Sequence, residues 1–223
     1  MPLLLLDLDN TLVGRSAAFS QWAAGFAASV GGGAADADWL VTADRDGLEP
    51  RDRLAELISR RFGLDNARRA PMVADLRRGM IEHIEADPAV PAVLDGARAA
   101  GWVPVVIGNG AVAQQEAKLR HTGLDRHLAG WVISERAGVS KPDPAIFRLA
   151  AAQAGHDLAG AWMIGDSALA DIGGAHAVGI ASIWLHRGRP WPRAAFAPTR
   201  IAATCAAAIT AVLASAEHSS QCP

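Results

Sequence analysis

The sequence predicts a doubly wound α/β protein with a mainly parallel sheet and a smaller all-helical domain inserted into it. Three observations carry that prediction. Short, continuous apolar runs recur at residues 2–6, 103–107, 131–133, 161–164 and 180–185, the pattern of strands buried on both faces. Helical patterns separate the later runs, which is the alternation of a parallel sheet. Between the first two runs, residues 16–87 break the rhythm and show helical periodicity alone.

The first run ends in acidic residues at Asp7. In the inserted stretch, Leu54, Leu57, Ile58 and Phe62 repeat at helical spacing, as do Leu76, Met80 and Ile84. Gly31, Gly33 and Pro50 punctuate it, and Asp87-Pro88 closes it. A helix is expected over 111–122, with Glu116 and Arg120 one turn apart and Gly123 as its stop. Another is expected over 144–154, with Asp143 as N-cap, Pro144 in the first turn and Gly155 after its end. The alanine-rich stretch 201–216 reads as an amphipathic packing helix, because alanine with polar flanks does not make a membrane span. The expected domains are therefore 1–15 with 88–223 as the α/β core, and 16–87 as the helical insertion.

Composition narrows the function classes. The formal charge is −2, and the arginines are scattered, which gives no electrostatic reason to expect nucleic acid or an anionic membrane as partner. The apolar run before Asp7 is too short for a signal peptide. The two cysteines, Cys205 and Cys222, lack metal-ligand spacing and are expected to be a buried thiol and a tail thiol. Such sparse cysteine fits a reducing, cytoplasmic setting. No feature of the sequence specifies an oligomeric state.

Four clusters fall at or just after the C-terminal ends of expected strands, where open α/β sheets place their sites. Asp7-Leu8-Asp9-Asn10-Thr11 sends two carboxylates out of the first strand, able to share one metal and one substrate. Gly108-Asn109-Gly110 is a tight turn feeding a helix, suited to presenting backbone N–H groups to an anion. Lys141-Pro142-Asp143-Pro144 holds a lysine on a stiff loop. Gly165-Asp166-Ser167, followed by Asp171, again sets carboxylates at a strand end. Any one of these has an ordinary structural explanation; all four in this order do not.

In that order they resemble the motifs of the haloacid dehalogenase-like hydrolases. DLDNTL at 7–12 matches the family's first motif, and VVIGNG at 105–110 lies where the second belongs. KPDPAIF at 141–147 matches the third and GDSALAD at 165–171 the fourth. The resemblance implies a Rossmann-like core, with 16–87 as a helical cap whose closure excludes water. It also implies a phosphatase using Mg²⁺ on a small phosphorylated metabolite such as a sugar phosphate, phosphoglycolate or a nucleotide. Asp7 would be the nucleophile that forms an aspartyl-phosphate, and Asp9 the general acid and base. The Asp7 carboxylate, the Asp9 main-chain carbonyl and Asp166 would hold Mg²⁺. Lys141 would stabilise charge on the transferring phosphoryl. Asp171 would orient Lys141 or a metal-bound water, with Ser167 beside it in a supporting role. Thr11, Asn109 and the backbone at Gly108 and Gly110 would help hold the phosphate.

One position departs from the pattern: Gly108 stands where the second motif usually has Ser or Thr. A missing hydrogen bond to a charged group costs about 1.5–3 kcal/mol, roughly ten- to hundredfold in rate where the bond forms mainly in the transition state. Three other activities stay open: a phosphotransferase or mutase and a dehalogenase (disfavoured by Asp9 with Thr11), both implied by the resemblance, and a non-catalytic phospholigand binder, which Gly108 favours. Trp131, Trp162 and Trp184 are expected in the core, and His176 as a helix residue packing locally. Trp22 and Trp39 lie in the insertion and are expected to pack there more than to meet substrate. Arg15, Arg45 and Arg51 are expected as solvated surface.

Overall fold

The computed structural model describes residues 1–65, 67, 69–192 and 195–220. The chain divides into two compact units, Met1–Val13 with Ala86–Pro223, and Gly14–Glu85. Both junctions fall slightly earlier in the chain than the sequence places them.

The larger unit is a six-stranded sheet in the order β3-β2-β1-β4-β5-β6, parallel throughout. Its strands are β1 (Leu3–Leu6), β2 (Val103–Gly108), β3 (Gly130–Ile133), β4 (Trp162–Gly165), β5 (Ala181–Leu185) and β6 (Arg200–Ala202). β1 lies at the centre with β2 on one side and β4 on the other, so strand order reverses at β1. That reversal opens a crevice at the carboxyl ends of these strands. All four β1 leucines are fully buried. Leu3 and Leu5 join Val105, Ile107 and Met163 in a cluster with Ile146, Phe147 and Ala150 of the helix Pro144–Gln153. Leu4 and Leu6 alternate with them and project to the other face. There the helices Val90–Ala99 and Cys205–Ser220 pack on one another and on β2 and β4.

Local chemistry sets the helix ends. The Asp143 carboxylate accepts from Ala145 N at 2.8 Å and caps Pro144–Gln153. Glu116 and Arg120 pair at 2.8 Å on the helix Val112–His121. Gly174 approaches the Phe147 ring so closely that a Cβ there would overlap it. The stretch read as one helix from 201 differs: Arg200–Ala202 is a short edge strand and the helix begins at Cys205. Trp184 is buried as expected, whereas Trp131 and Trp162 are only half-buried. They sit at the entry of their strands, where Trp131 donates to Glu116 (3.3 Å) and Trp162 lies under the Arg200 guanidinium. Exposed His176 stacks on Phe196. Cys205 is a buried free thiol; Cys222 lies outside the described residues. Among the described residues, no helix is long and apolar enough to cross a membrane.

The smaller unit contains four α-helices among its described residues: Arg15–Ser29, Ala34–Asp44, Arg51–Phe62 and Arg69–Glu82. Phe19, Trp22, Leu40, Leu54, Ile58, Leu76 and Met80 are buried. Trp22 stacks on Phe26, which meets the Phe62 ring edge-on. Gly79 leaves the room that Trp22 fills, and Asp75 accepts from its indole N–H. Arg15 is not the solvated residue expected: it is 3% exposed and forks onto both oxygens of buried Asp44, at 2.6 and 2.8 Å. Arg51 reaches the same carboxylate at 2.7 Å. An arginine placed for a buried aspartate cannot be distinguished from a surface arginine by local pattern. Arg45 is the exposed one, paired with Glu49. Half-buried Trp39 packs on Phe62 and under Arg61.

Candidate active site

The site is built at the strand reversal. Asp7 directly follows β1, and its N–H donates to Ile164 O at 2.9 Å, which extends the pairing with β4 by one residue. The chain then turns tightly: Thr11, Leu12 and Val13 N–H groups all point at Leu8 O, and Asn10 takes a left-handed conformation. Asparagine adopts that region more readily than most side chains. The turn places Asp7 and Thr11 in buried positions.

Asp166 follows β4, and the segment Ala168–Gly173 continues as a π-helical turn capped by Ser167, whose Oγ accepts from Ala170 N. This turn brings the Asp171 carboxylate over Gly165, where a Cβ would overlap it. Asp171 is fully buried and accepts from Ser167 N at 2.9 Å. One carboxylate oxygen from each of Asp7, Asp166 and Asp171 lies within 4.8 Å of the others.

Lys141 reaches into that cluster from the loop before Pro144–Gln153. Its Nζ lies 2.7 Å from Asp7 Oδ1 and 2.7 Å from Asp171 Oδ1. Burial pushes the Lys141 pKa down, but the Asp171 and Asp7 charges outweigh it and hold the value above the ordinary one, so the side chain is an ammonium. Burial likewise pushes the Asp171 and Asp166 carboxyls up, and the Asp7 charge adds to both shifts. Lys141 opposes the shift of Asp171, and Arg187 that of Asp166.

The Asn109 side chain fixes the lysine loop. Its amide donates to Lys141 O and its carbonyl accepts from Lys141 N, both at 2.9 Å. The Gly110 N–H donates to Ser134 Oγ at 2.9 Å. In this arrangement Asn109 therefore clasps the lysine loop, and Gly110 joins its turn to Ser134 after β3. At Gly108 a Cβ would lie 3.1 Å from Ile133 Cδ1, so a side chain there requires the isoleucine to give way slightly. Thr11 Oγ1 is buried and meets no hydrogen-bond partner among the described residues, a donor that calls for one.

Four residues at the site escaped the sequence reading. Arg187 Nη1 and Arg189 Nη2 contact Asp166 Oδ2 at 2.9 and 3.1 Å, and Arg189 also donates to Asp166 O. Lys118 and Gln115, from the helix Val112–His121, both contact Asp9: Lys118 Nζ is 2.6 and 2.7 Å from its two oxygens, and Gln115 Nε2 is 3.0 Å from Oδ2. A signal for the second pair existed, since both fall on the same helix face as buried Leu119. For the arginines the signal was a basic pair just past a strand end.

Three buried carboxylates offering only oxygen suit a hard divalent cation with retained waters, so the donor set fits a metal. Lys141, Arg187 and Arg189 balance those carboxylates formally, and a cation on Asp166 competes with the two guanidinium groups.

The fold and these motifs together define the class. A family model described as haloacid dehalogenase-like hydrolase matches residues 1–179, and the chain belongs to that family. It is 36% identical over 101 residues to a phosphoserine phosphatase of Thermus thermophilus, covering 45% of this chain and 41% of that protein. It is 43% identical over 89 residues to a pyrimidine 5'-nucleotidase of Escherichia coli, covering 38% of this chain and 40% of that one. The matches thus span about two fifths of the length of these curated relatives. A solved 2-haloacid dehalogenase of Pseudomonas syringae superposes with a TM-score of 0.63 at 24% identity, covering 96% of this chain and 99% of that one, and shares the fold.

Proposed function

We propose that the chain is a Mg²⁺-dependent phosphatase that hydrolyses a small phosphate monoester through an aspartyl-phosphate on Asp7. The observation that carries this reading is the contact of a buried lysine ammonium with Asp7 inside a cluster of buried carboxylates, with Asp9 two residues further on. An anionic ester repels a carboxylate nucleophile, and the cation beside Asp7 offsets that repulsion. Asp7 Oδ attacks phosphorus and the bond to the ester oxygen breaks. Asp9 gives that oxygen its proton, then takes one from the water that attacks the phosphoryl-aspartate, releasing phosphate and free Asp7. Lys141, kept charged by Asp7 and Asp171, holds negative charge on the phosphoryl oxygens. The unsatisfied Thr11 hydroxyl offers a donor to one of them. Asp7, Asp166 and the Asp9 carbonyl would hold Mg²⁺, which when bound neutralises charge on the transferring group.

Phosphatases among the relatives support the substrate class, and the insertion of Gly14–Glu85 directly after the first motif supports a role for that unit as the cap. Wild type and Asp7→Asn are assayed with and without EDTA for phosphate release from p-nitrophenyl phosphate and a panel of sugar, nucleotide and amino-acid phosphates. Chloride release from 2-chloropropionate is measured alongside. Phosphate release that requires both Asp7 and Mg²⁺ is expected; halide release without phosphate release contradicts the reading.

A further inference from the structure

Lys118 has no place in the mechanism above, yet it is one of the most buried cations in the described structure, 4% exposed as a residue. A buried ammonium is costly unless it is paired, and its partner is Asp9. The ammonium meets both carboxylate oxygens, and Gln115, one helical turn before it and 3% exposed, adds an amide donor. The other bond of that amide goes to Asn109 O at 2.9 Å, so the same side chain ties Asp9 to the turn after β2. Gly110 is shaped for this: its φ is +143°, and a Cβ there would lie 3.0 Å from Gln115 Nε2. Burial is one-sided. The Lys118 side chain is 5% exposed while that of Asp9 is 26% exposed. The donors back the carboxylate from within the fold.

We propose that Lys118 and Gln115 are positioning residues for Asp9: they orient its carboxyl group as it gives its proton to the leaving oxygen, and they bind the carboxylate left behind. This rests on the reading of Asp9 as proton donor. The plain alternative is a structural pin that fastens the helix Val112–His121 to the loop after β1. The two separate by leaving group. Proton delivery matters in proportion to the basicity of the departing oxygen, so a misplaced donor slows phenyl phosphate far more than p-nitrophenyl phosphate. A loosened pin slows both alike.

The test compares kcat/KM of the full chain on these two esters for wild type, Lys118→Met, Lys118→Arg, Gln115→Leu and Asp9→Asn, each checked for folding by circular dichroism and thermal melting. Lys118→Met is expected to lose about tenfold or more on phenyl phosphate, several times its loss on p-nitrophenyl phosphate. Lys118→Arg recovers part of that loss. Adding Lys118→Met to Asp9→Asn costs little more, because both act through one group. Gln115→Leu removes no charge and is expected to show the same selectivity at smaller size, so it decides the matter if Lys118→Met does not fold. Equal losses on both esters, or no loss, overturn the inference while leaving the phosphatase reading intact. Wild-type inactivity on both esters overturns the reading and this inference with it.

Discussion

Lys141 shows what a single side chain at this site must balance. Its ammonium is 1% exposed and lies against two carboxylates that are themselves nearly dry. Removing one member of such a buried pair typically costs 3–5 kcal/mol, because the charges left behind stay unneutralised. Lys141→Ala is therefore expected to lower unfolding free energy by about that amount in urea titrations at neutral pH, besides abolishing turnover; a loss under about 1 kcal/mol, the range of exposed pairs, contradicts this picture. Cys205 is the opposite case, a group kept neutral. Burial, with the Asp87 and Asp7 charges adding to it, pushes its thiol up to about 12, so almost no thiolate exists at pH 8. The Cys205 peptide should stay unmodified by iodoacetamide in folded protein and react after denaturation; fast labelling of the folded chain would refute that. Asp7, Asp166 and Lys141 stand out in the sequence because each follows a recognisable strand or loop signal, and the fold brings the three together. Lys118 does not stand out, because Asp9, which it contacts, is 109 residues away in the chain.

At the scale of elements, glycines decide several close approaches. Gly79 sits in a helix, where Ala would gain up to about 1 kcal/mol of propensity, but the added Cβ overlaps the Trp22 ring. Overpacking costs about 1–3 kcal/mol and wins, so Gly79→Ala is expected to lower the melting temperature. A rise would mean that the ring moves aside freely. Gly165→Ala meets the Asp171 carboxylate instead and should depress turnover more than stability. Two helices also carry acid-sensitive carboxylates, Asp36 in a first turn and Glu116 in mid-helix. The Gly33 N–H and Arg61 hold the Asp36 carboxyl below its ordinary value, and Trp131 and Arg120 do the same for Glu116. A depressed carboxylate contributes stability above its unfolded pKa and loses it as pH falls through the folded one. Asp36→Asn should thus destabilise at pH 7 and converge on wild type as pH falls through and below the ordinary carboxylate range; a difference that persists in acid contradicts the linkage. β1, β2, β4 and β5 were readable because sheet strands covered on both faces are continuous apolar runs. β6 was not, since Arg200–Ala202 is a short edge strand with Arg200 and Ile201 exposed.

For the whole molecule, the sheet order does the assembling. Placing β1 between β2 and β4 brings residues 7, 109 and 166 to one end of three adjacent strands, although they are distant in sequence. The loop carrying Lys141 and the turn carrying Asp171 close over that end. The four-motif order was therefore visible in the sequence, while the charge balance was not: Arg187 and Arg189 reach Asp166 across 21 and 23 residues from beyond β5. With those arginines competing for Asp166, Arg187→Ala is expected to bind Mn²⁺ more tightly by titration calorimetry; unchanged affinity would mean that the guanidinium yields without cost. Attack by Asp7 on phosphorus leaves a covalent intermediate, which can be trapped. Protein mixed with its best phosphate ester and Mg²⁺ is quenched in acid within one turnover, digested and examined by mass spectrometry. One phosphoryl group is expected on the peptide containing Asp7, absent from Asp7→Asn and from samples chased to completion. Phosphate release by the wild type with no phosphoryl group on that peptide at any quench time would contradict attack by Asp7.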